Sequence, residues 1–263
     1  MIDLHSHVLP GLDDGARTPE DSLAIARAAA SEGVTTMAAT PHLRADHPGV
    51  RPAELAARCT TLQRLFDAEG IALEVVPAGE LDVHWAQGAS DDDLRLASYG
   101  QRGDWLLVET PYGTISELYE ELLFKLSARG FRTLLAHPER NPSFQRRPER
   151  LRALVERGAL VQVTAHALVS AERRAPERRL AEALVRGSLA HVIASDVHRA
   201  SGRRSVGLAE AVAAADAIVP GAGAYMTRDA PAAILAGQHP PPPPSPEGGG
   251  RRRVLRRLGR LHP

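Results

Sequence analysis

The chain lacks features that would place it in several large classes of protein. Cys59 is the only cysteine in 263 residues, so no disulfide can form within the chain and a reducing compartment is favoured. No run of about 18 apolar residues occurs, which argues against a membrane-spanning helix. The chain opens on a polar, histidine-bearing segment that is unlike a signal peptide. These features predict a cytoplasmic protein.

Aromatic residues and net charge are also scarce. Aromatics make up 4% of the chain, and 32 basic residues balance 32 acidic ones to a formal net charge of zero. Lys125 is the only lysine, so almost every positive charge is an arginine. No basic stripe with interleaved aromatics runs along the chain, and nucleic acid is therefore not predicted as a partner. The length is sufficient for one large α/β-barrel domain or for two small domains.

Short apolar runs alternate with amphipathic stretches. The predicted strands are 2–5, 35–40, 73–76, 105–109, 132–136, 160–164 and 191–195. The predicted helices are 52–69, 116–129, 148–157, 175–186, 207–217 and a first helix that starts at Thr18. Thr18 is followed by a proline and two acidic residues, the pattern of an N-cap and first turn. Glycines end the predicted helices as C-caps: Gly33, Gly70, Gly130, Gly158 and Gly187.

Seven strands that alternate with helices predict a parallel sheet. An open, doubly wound sheet would gather only the strands beside its switch point, whereas a barrel brings all strand ends to one rim. Because candidate ligands follow most of the strands, we predict a TIM-like (β/α)7 barrel over residues 1–237, with a metal site at its C-terminal face.

Residues 238–263 break this pattern with a proline run, three consecutive glycines and an arginine-rich end. We predict an extended, poorly ordered linker followed by a basic tail. Two interpretations of the tail remain open. Its arginines could hold the protein at anionic lipid on the inner face of the membrane, or the tail could be a solvated, disordered segment.

Eight side chains of metal-binding type lie near the ends of predicted strands: His5, His7, His42, Glu80, Glu109, His137, Asp196 and His198. A strand places alternate residues on one face, so its period aligns His5, His7 and Asp3. A single His-x-His pair could equally be two surface histidines. The repetition of such residues at successive strand ends predicts a metal site.

The chemistry of this ligand set narrows the reaction. Imidazoles and carboxylates without a thiolate suit Mn²⁺, Fe²⁺ or Zn²⁺. Eight ligands are more than one open catalytic ion uses, so two or three ions that share carboxylates are expected. Such clusters turn a bound water into hydroxide and clamp the oxygens of a phosphoryl group. The predicted reaction is therefore phosphoester hydrolysis.

Further residues are candidates for supporting roles. Arg140, three residues after His137, is predicted to bind phosphate with its two-pronged guanidinium, the alternative being a surface salt bridge. Asp14, like its neighbour Asp13, either supports the histidines from behind or forms a turn. Asp3 is assigned the same supporting role.

A cysteine nucleophile is excluded. In a cysteine-dependent phosphatase an arginine follows the cysteine by six positions, but Leu65 stands at that position after Cys59.

Six collinear segments resemble a known superfamily. They are 1–15, 39–42, 77–80, 109–112, 136–141 and 194–198, and they include His-Pro-Glu-Arg-Asn at 137–141. They resemble the PHP (polymerase and histidinol phosphatase) superfamily over residues 1 to about 236. Within it, the chain is most similar to the bacterial metal-dependent protein-tyrosine phosphatases of the CpsB/YwqE type.

The resemblance implies a distorted (β/α)7 barrel that holds a trinuclear cluster, usually of Mn²⁺. It implies the same eight ligands, with Arg140 in the phosphate site. It also implies a protein partner, an autophosphorylating tyrosine kinase of the polysaccharide-export system. The chain departs from the family at Ala78-Gly-Glu80, where Gly-Gln-Glu is common, and over residues 82–101. These departures leave open a small phosphomonoester such as histidinol phosphate as substrate.

Overall fold

The computed structural model describes residues 1–245. The strands are β1 Ile2–Ser6, β2 Thr36–Ala39, β3 His42–Leu43, β4 Glu74–Pro77, β5 Glu80–Leu81, β6 Trp105–Glu109, β7 Arg132–Ala136, β8 Leu160–Thr164 and β9 Val192–Ala194. The helices are α1 Pro19–Ser31, α2 Pro52–Ala68, α3 Val83–Gly88, α4 Asp91–Ala97, α5 Glu117–Ala128, α6 Pro142–Arg146, α7 Pro148–Glu156, α8 Ala165–Val169, α9 Pro176–Arg186, α10 Leu208–Ile218, α11 Ala222–Ala224 and α12 Ala230–Leu235.

All strand pairings are parallel. One sheet has the order β1-β2-β4, and the other has the order β3-β5-β6-β7-β8-β9. The short strands β3 and β5 lie just beyond the ends of β2 and β4, so the seven predicted strands are confirmed and two are extended by a short second piece. The predicted mixed α/β architecture with parallel sheets is confirmed.

The first and last strands are also joined. The amide of Asp196 donates to the His5 carbonyl at 2.9 Å, and the amide of His7 donates to the Val197 carbonyl at 2.9 Å. Both bonds lie beyond the end of β9, where the candidate ligands of the two strands are found. The backbone itself therefore brings the amino-terminal histidines to the carboxyl end of the last strand.

Both faces of the strands are buried, and the alternation of side chains along a strand explains on which face a candidate ligand lies. In β6, Trp105 and Leu107 belong to one buried cluster, whereas Leu106 and Val108 belong to the other. Glu109, the last residue of β6, follows the parity of Trp105 and Leu107. A carboxylate at this position continues a buried row instead of pointing among the surrounding helices.

Most of the predicted helix boundaries are correct. Thr18 caps α1 in a capping box with Asp21, and Gly33, Gly70, Gly130 and Gly158 adopt positive φ after their helices. Gly187 does not, because it is itself the C-cap with φ −86° and Ser188 takes the left-handed conformation at φ 54°.

The diverging segment 82–101, which the sequence left unassigned, forms the short helices α3 and α4. None of the helices in residues 1–245 is long and apolar enough to cross a bilayer.

The start of the carboxyl-terminal segment, predicted as a poorly ordered linker, accepts hydrogen bonds from the domain. Trp105 Nε1 donates to the Gln238 carbonyl at 3.0 Å, Tyr225 donates its hydroxyl to the Pro241 carbonyl at 2.9 Å, and Ser188 donates to the Pro244 carbonyl at 2.7 Å. Prolines keep their carbonyls as acceptors although they lack an amide donor, so the proline run is held against the domain. The predicted basic tail, at residues 251–261, lies outside the described residues.

His191, just before β9, is expected to make stability depend on pH. It is buried, the Val161 amide donates to its Nδ1 at 3.2 Å, and burial lowers its pKa to about 4. An unfolded histidine takes up a proton near pH 6.5, so acidification favours the unfolded chain and stability is lost as pH falls from about 6.5 to 4. We expect His191 to lower the free energy of unfolding by up to about 3 kcal/mol over this pH range.

Urea unfolding at pH 7 and pH 5 measures this effect. His191→Asn should lose less stability between the two pH values than the wild type. His84→Asn, which alters an exposed histidine, should behave as the wild type. An unchanged pH slope in His191→Asn would rule out this role for His191.

Candidate functional site

The eight predicted ligands converge at the carboxyl ends of the strands. His5 lies in β1, Glu109 ends β6, and His42 and Glu80 begin the short strands β3 and β5. The others follow a strand directly or within a few residues: His7, His137, Asp196 and His198. All eight are buried, including both acidic and imidazole side chains. Buried charged groups of this kind require partners or ions.

Glu80 lies at the centre of one half of the cluster. Its Oε2 is 3.2 Å from His5 Nε2 and 3.0 Å from His42 Nδ1. Its Oε1 is 2.9 Å from His137 Nε2. One carboxylate thus touches imidazoles that lie in, or directly after, three different strands, which is the placement of a bridging ligand.

Asp196 is the corresponding carboxylate in the other half of the cluster. Its Oδ1 lies 3.4 Å from His5 Nε2 and 3.2 Å from His7 Nε2. Burial opposes its ionisation, but the charge of His5 and a hydrogen bond from His7 hold the pKa of Asp196 well below its usual value. The two carboxylates therefore share His5 and link the two halves.

Ligand atoms within 4.8 Å of one another form four overlapping groups. The groups are His7-Asp14-His42-His198, His5-His7-Asp196, His5-Glu80-His137 and His42-Glu80-Glu109. Every predicted ligand occurs in at least one group, and His5, His7, His42 and Glu80 occur in two. Such sharing is typical of several ions held close together.

The hydrogen bonding of the cluster fits bound cations. Among residues 1–245, Glu80 Oε2, His42 Nδ1 and His137 Nδ1 are buried without a hydrogen-bond partner. Glu80 Oε2 and His42 Nδ1 lie 3.0 Å apart, yet neither has a hydrogen-bond partner. The angles between them are therefore wrong for a hydrogen bond. Orphaned buried polar atoms cost about 1–3 kcal/mol each. A divalent ion would satisfy them, and the all-oxygen and nitrogen donor set fits Mn²⁺, Fe²⁺ or Zn²⁺.

Backbone strain is concentrated at the same place. His137 and Asp196 adopt the left-handed conformation, with φ of 38° and 52°. Among the described residues only two other non-glycine residues, Gln101 and Ser188, have positive φ. Such conformations cost about 1–3 kcal/mol and persist where the surroundings require them. Two of the four strained positions therefore carry candidate ligands.

Hydrogen bonds on the side away from the cluster orient two histidines, His5 and His7. Asp13 Oδ2 accepts from His7 Nδ1 at 2.7 Å and from the His42 amide at 3.0 Å. Burial would raise the pKa of Asp13, but the charge and hydrogen bond of His7 lower it to about 2. Gln162 Oε1 lies 3.0 Å from His5 Nδ1. Because each of these oxygens accepts a hydrogen bond from Nδ1 of its histidine, each ring presents Nε2 to the cluster.

The two other predicted supporting residues have different roles. Asp14 Oδ1 lies 3.1 Å from His198 Nε2, which places it among the possible ligands rather than behind them. Asp3 accepts from the amides of Ser195 and His5 at 3.0 and 3.3 Å, and it makes no hydrogen bond to an imidazole. Asp3 therefore fixes the backbone next to Asp196.

Guanidinium groups line the edge of the cluster. Arg140 Nη1 lies 2.7 Å from Asp196 Oδ2, and 25% of its side chain is exposed. Burial opposes its charge, but the charge of Asp196 raises the pKa of Arg140, so it stays protonated. Arg204 donates from Nη1 to Asp14 Oδ2 at 2.9 Å and contacts His198 Nε2 with Nη2. Arg44 Nη1 reaches Glu109 Oε1 at 3.4 Å.

Sequence reasoning missed Arg204 and Gln162. Arg204 follows His198 by six residues in an arginine-rich loop, and nothing local separates it from its neighbours. Gln162 did leave a signal, because it is the polar residue at the centre of the buried strand Leu160–Thr164. Cys59 is buried in α2, and burial raises its pKa to about 12, which agrees with the exclusion of a cysteine nucleophile.

The profile of the family described as "Capsular polysaccharide synthesis, CpsB/CapC" matches residues 1–220. The chain belongs to the CpsB/CapC family. Tyrosine-protein phosphatase YwqE of Bacillus subtilis (strain 168) is 34% identical over 208 residues, 77% of this chain and 79% of the relative. Tyrosine-protein phosphatase CpsB of Streptococcus pneumoniae is 24% identical over 209 residues, 77% of this chain and 85% of the relative.

A solved structure supports the same family. It comes from crystallographic work on YwqE from Bacillus subtilis and CpsB from Streptococcus pneumoniae, described as unique metal-dependent tyrosine phosphatases. The match has a TM-score of 0.80 at 30% identity and covers 95% of this chain and 100% of the solved chain. The family resemblance seen in the sequence is confirmed.

Proposed function

We propose that this CpsB/CapC family member is a metal-dependent protein-tyrosine phosphatase. The observation that carries the proposal is the buried cluster around Glu80 and Asp196, with the Arg140 guanidinium at its edge. The naming of its relatives as tyrosine-protein phosphatases supports the substrate class. The family's link to capsular polysaccharide synthesis supports a bacterial tyrosine kinase as partner, one that controls capsular or exopolysaccharide synthesis.

The architecture in this proposal is one distorted (β/α)7 barrel of the PHP type over residues 1–237, with the site at its C-terminal face. The hydrogen bonds between β1 and the residues after β9 support closure of the strand array. Only two residues separate β2 from β3, and only two separate β4 from β5, which supports continuity across the two sheets. In such a barrel the chemistry is carried by residues at the carboxyl ends of the strands.

All eight clustered side chains are proposed as ligands: His5, His7, His42, Glu80, Glu109, His137, Asp196 and His198. The proposed metal is Mn²⁺, two or three ions, with Fe²⁺ or Zn²⁺ as alternatives. When bound, such ions supply an activated water and neutralise phosphoryl charge. Burial, followed by the negative charge of Glu80, raises the pKa of Glu109 to about 7. A nearby cation favours the ionised form of such a carboxyl.

The chain's own residues would bind and orient the phosphoryl group. Arg140 and Arg204 present permanent positive charge to its oxygens, and a guanidinium can hold two oxygens at once. As negative charge develops on the phosphoryl group, these fixed charges stabilise it. A phenol with a pKa of about 10 leaves more readily than a serine or threonine alkoxide, so phosphotyrosine needs less help from a general acid.

An aromatic side chain at the site supports an aryl substrate. Tyr112 is 59% exposed, and its ring lies 6.2 Å from the His137 ring at an interplanar angle of 23°. The side-chain Nδ2 of Asn141 donates to the Gly113 carbonyl at 2.8 Å and thereby holds the loop that carries Tyr112. An exposed, fixed ring beside the cluster can stack on the ring of phosphotyrosine.

Phosphate release from a phosphotyrosine peptide by metal-stripped protein, with and without added Mn²⁺, tests the proposal. We expect turnover to be lost on stripping and restored by Mn²⁺, and Cys59→Ser to behave as the wild type. Metal-restored hydrolysis of histidinol phosphate without hydrolysis of the peptide would replace the proposal with the small-phosphomonoester alternative. Hydrolysis that is unaffected by stripping would contradict the metal requirement.

The proposed place of action is the cytoplasm, which the single buried cysteine supports. Contact with the inner membrane face through the basic residues 251–261 is part of the proposal, since each basic residue near anionic lipid contributes about 1 kcal/mol. A chain that ends at residue 245 should then bind anionic liposomes less than the full chain does.

A further inference from the structure

A cavity of about 330 Å³ opens beside the candidate metal centre, on the side of His198. Its lining includes Gly15, Arg17, Asp21, His198 and Arg199. His198 belongs both to this cavity and to the metal-ligand group with His7, His42 and Asp14. A molecule that fills the cavity therefore touches the edge of the catalytic cluster. Neither Arg17 nor Arg199 has a part in the proposed chemistry.

The two arginines are available to a ligand. Both are exposed, and within residues 1–245 neither guanidinium makes a hydrogen bond or an ion pair. Arg204, in the same loop as Arg199, is by contrast already held by Asp14 and His198. Two arginines without a side-chain partner among the residues that line one cavity favour an anion, because each guanidinium offers several N–H donors in a plane.

The carboxylate in the cavity makes no ion pair with either of these arginines. Asp21 Oδ2 accepts from the backbone amides of Arg17 and Thr18 at 3.0 and 3.3 Å, where it completes the capping box of α1. Its charge is engaged at the helix terminus. The positive charge of Arg17 and Arg199 is left without a side-chain partner.

The wall of the cavity is fixed relative to the cluster. A Cβ at Gly15 would lie 2.1 Å from the His7 carbonyl oxygen, so this position admits only glycine. The Ala16 amide also donates to the His7 carbonyl at 3.0 Å. The loop that forms this wall is thus packed directly on a ligand-bearing segment, and the cavity keeps its place beside the site.

We propose that this cavity is an anion subsite that receives a second negatively charged group of the substrate chain, one that flanks the phosphotyrosine. The inference rests on the proposed function, because the phosphotyrosine itself must lie at the metal centre. An extended peptide advances about 3.3 Å per residue, so a group one to three residues away can reach an adjoining cavity. The group is the carboxylate of an acidic residue or the phosphate of a second phosphotyrosine.

Three otherwise identical phosphotyrosine peptides test the subsite, with alanine, glutamate or a second phosphotyrosine at the flanking positions. The enzymes are the metal-loaded wild type, the double variant Arg17→Ala/Arg199→Ala, and the control Arg64→Ala/Arg186→Ala. The control removes two exposed arginines of α2 and α9 that lack ion pairs among the described residues. p-Nitrophenyl phosphate, which has no flanking residues, reports the basal activity.

We expect the wild type to have a KM about tenfold lower for the charged peptides than for the alanine peptide, a factor typical of a few charge-assisted contacts. The cavity variant should lose this preference and keep its activity on p-nitrophenyl phosphate, whereas the control should keep both. The charged peptide with the lower KM identifies the source of the anion. Equal KM values for all peptides in the wild type, or an unchanged preference in the cavity variant, would overturn the proposal.

Binding of the same peptides with a non-hydrolysable phosphonate in place of the phosphate separates this inference from the proposed function. If no phosphotyrosine compound is hydrolysed, the proposed function fails. The subsite is then supported by charge-dependent binding that requires Arg17 and Arg199, and it is rejected if binding is independent of flanking charge.

Discussion

Glu80→Gln is expected to lower metal-dependent kcat by at least about 10³-fold, because the loss of a charged bridging ligand removes both metal affinity and the charge that organises the site. Glu80 contacts His5, His42 and His137 within 3.2 Å and occurs in two of the four ligand groups. Glutamine keeps the size of the side chain but not its charge. Glutamine also has one side-chain oxygen where glutamate has two, so at least one of these imidazoles loses its acceptor.

Bound metal, measured by elemental analysis after gel filtration, should fall together with kcat on p-nitrophenyl phosphate. Glu74→Gln is the matched control, since Glu74 lies exposed in β4, just before β5. Circular dichroism checks that both variants fold. Full metal content and full activity in Glu80→Gln would remove Glu80 from the site.

Arg140→Ala is expected to lower kcat by about 10²–10³-fold while the metal content stays close to that of the wild type, as for the loss of one fixed donor to a developing charge. Arg140 contacts Asp196 Oδ2 from the edge of the cluster and is not itself a ligand. Arg140→Lys should recover only part of this loss, because an ammonium is a point charge that cannot hold two phosphoryl oxygens in a plane.

The matched control is Arg146→Ala, which removes an exposed arginine at the end of α6. The ratio of bound metal to activity distinguishes the two predictions: Glu80→Gln loses both, whereas Arg140→Ala loses activity alone. Loss of metal in Arg140→Ala to the level of Glu80→Gln would assign Arg140 to holding Asp196 instead of the phosphoryl group.

The strands and the clustering of the candidate ligands could be predicted from the sequence because both follow from local patterns. A parallel strand buried on both faces is a short apolar run, and its carboxyl end is marked by the first polar side chain that follows. His137 after β7 and Glu109 at the end of β6 are such residues. The spacing His5-Ser-His7 and Asp196-Val-His198 also specifies one face without knowledge of any neighbour.

Residues that act across the fold could not be predicted in this way. Gln162 reaches His5 from 157 residues away in the chain, and Asp13 joins His7 to the His42 amide. Arg204 contacts Asp14 over a separation of 190 residues. Each partner is an ordinary polar residue in its own segment, and its role exists only where two strands or loops meet.

The carboxyl-terminal proline run also makes contacts that its composition does not indicate. Its composition predicted a poorly ordered linker, since prolines remove amide donors and favour extended chain. The carbonyl oxygens remain acceptors, however, and Trp105, Ser188 and Tyr225 supply donors from three distant parts of the domain. Composition describes what a segment can do alone and carries no information about donors elsewhere.

The sequence by itself determined the parallel α/β architecture, the eight candidate ligands and the reaction class that they favour, because strand period and side-chain chemistry are local properties. Only the tertiary structure decided that Glu80 and Asp196 each contact several imidazoles, that Asp14 lies among the candidate ligands, and that Arg204 and an arginine-lined cavity adjoin the site. These properties depend on distances between residues far apart in the chain, and such distances are set when the strands pair and the loops pack at their carboxyl ends.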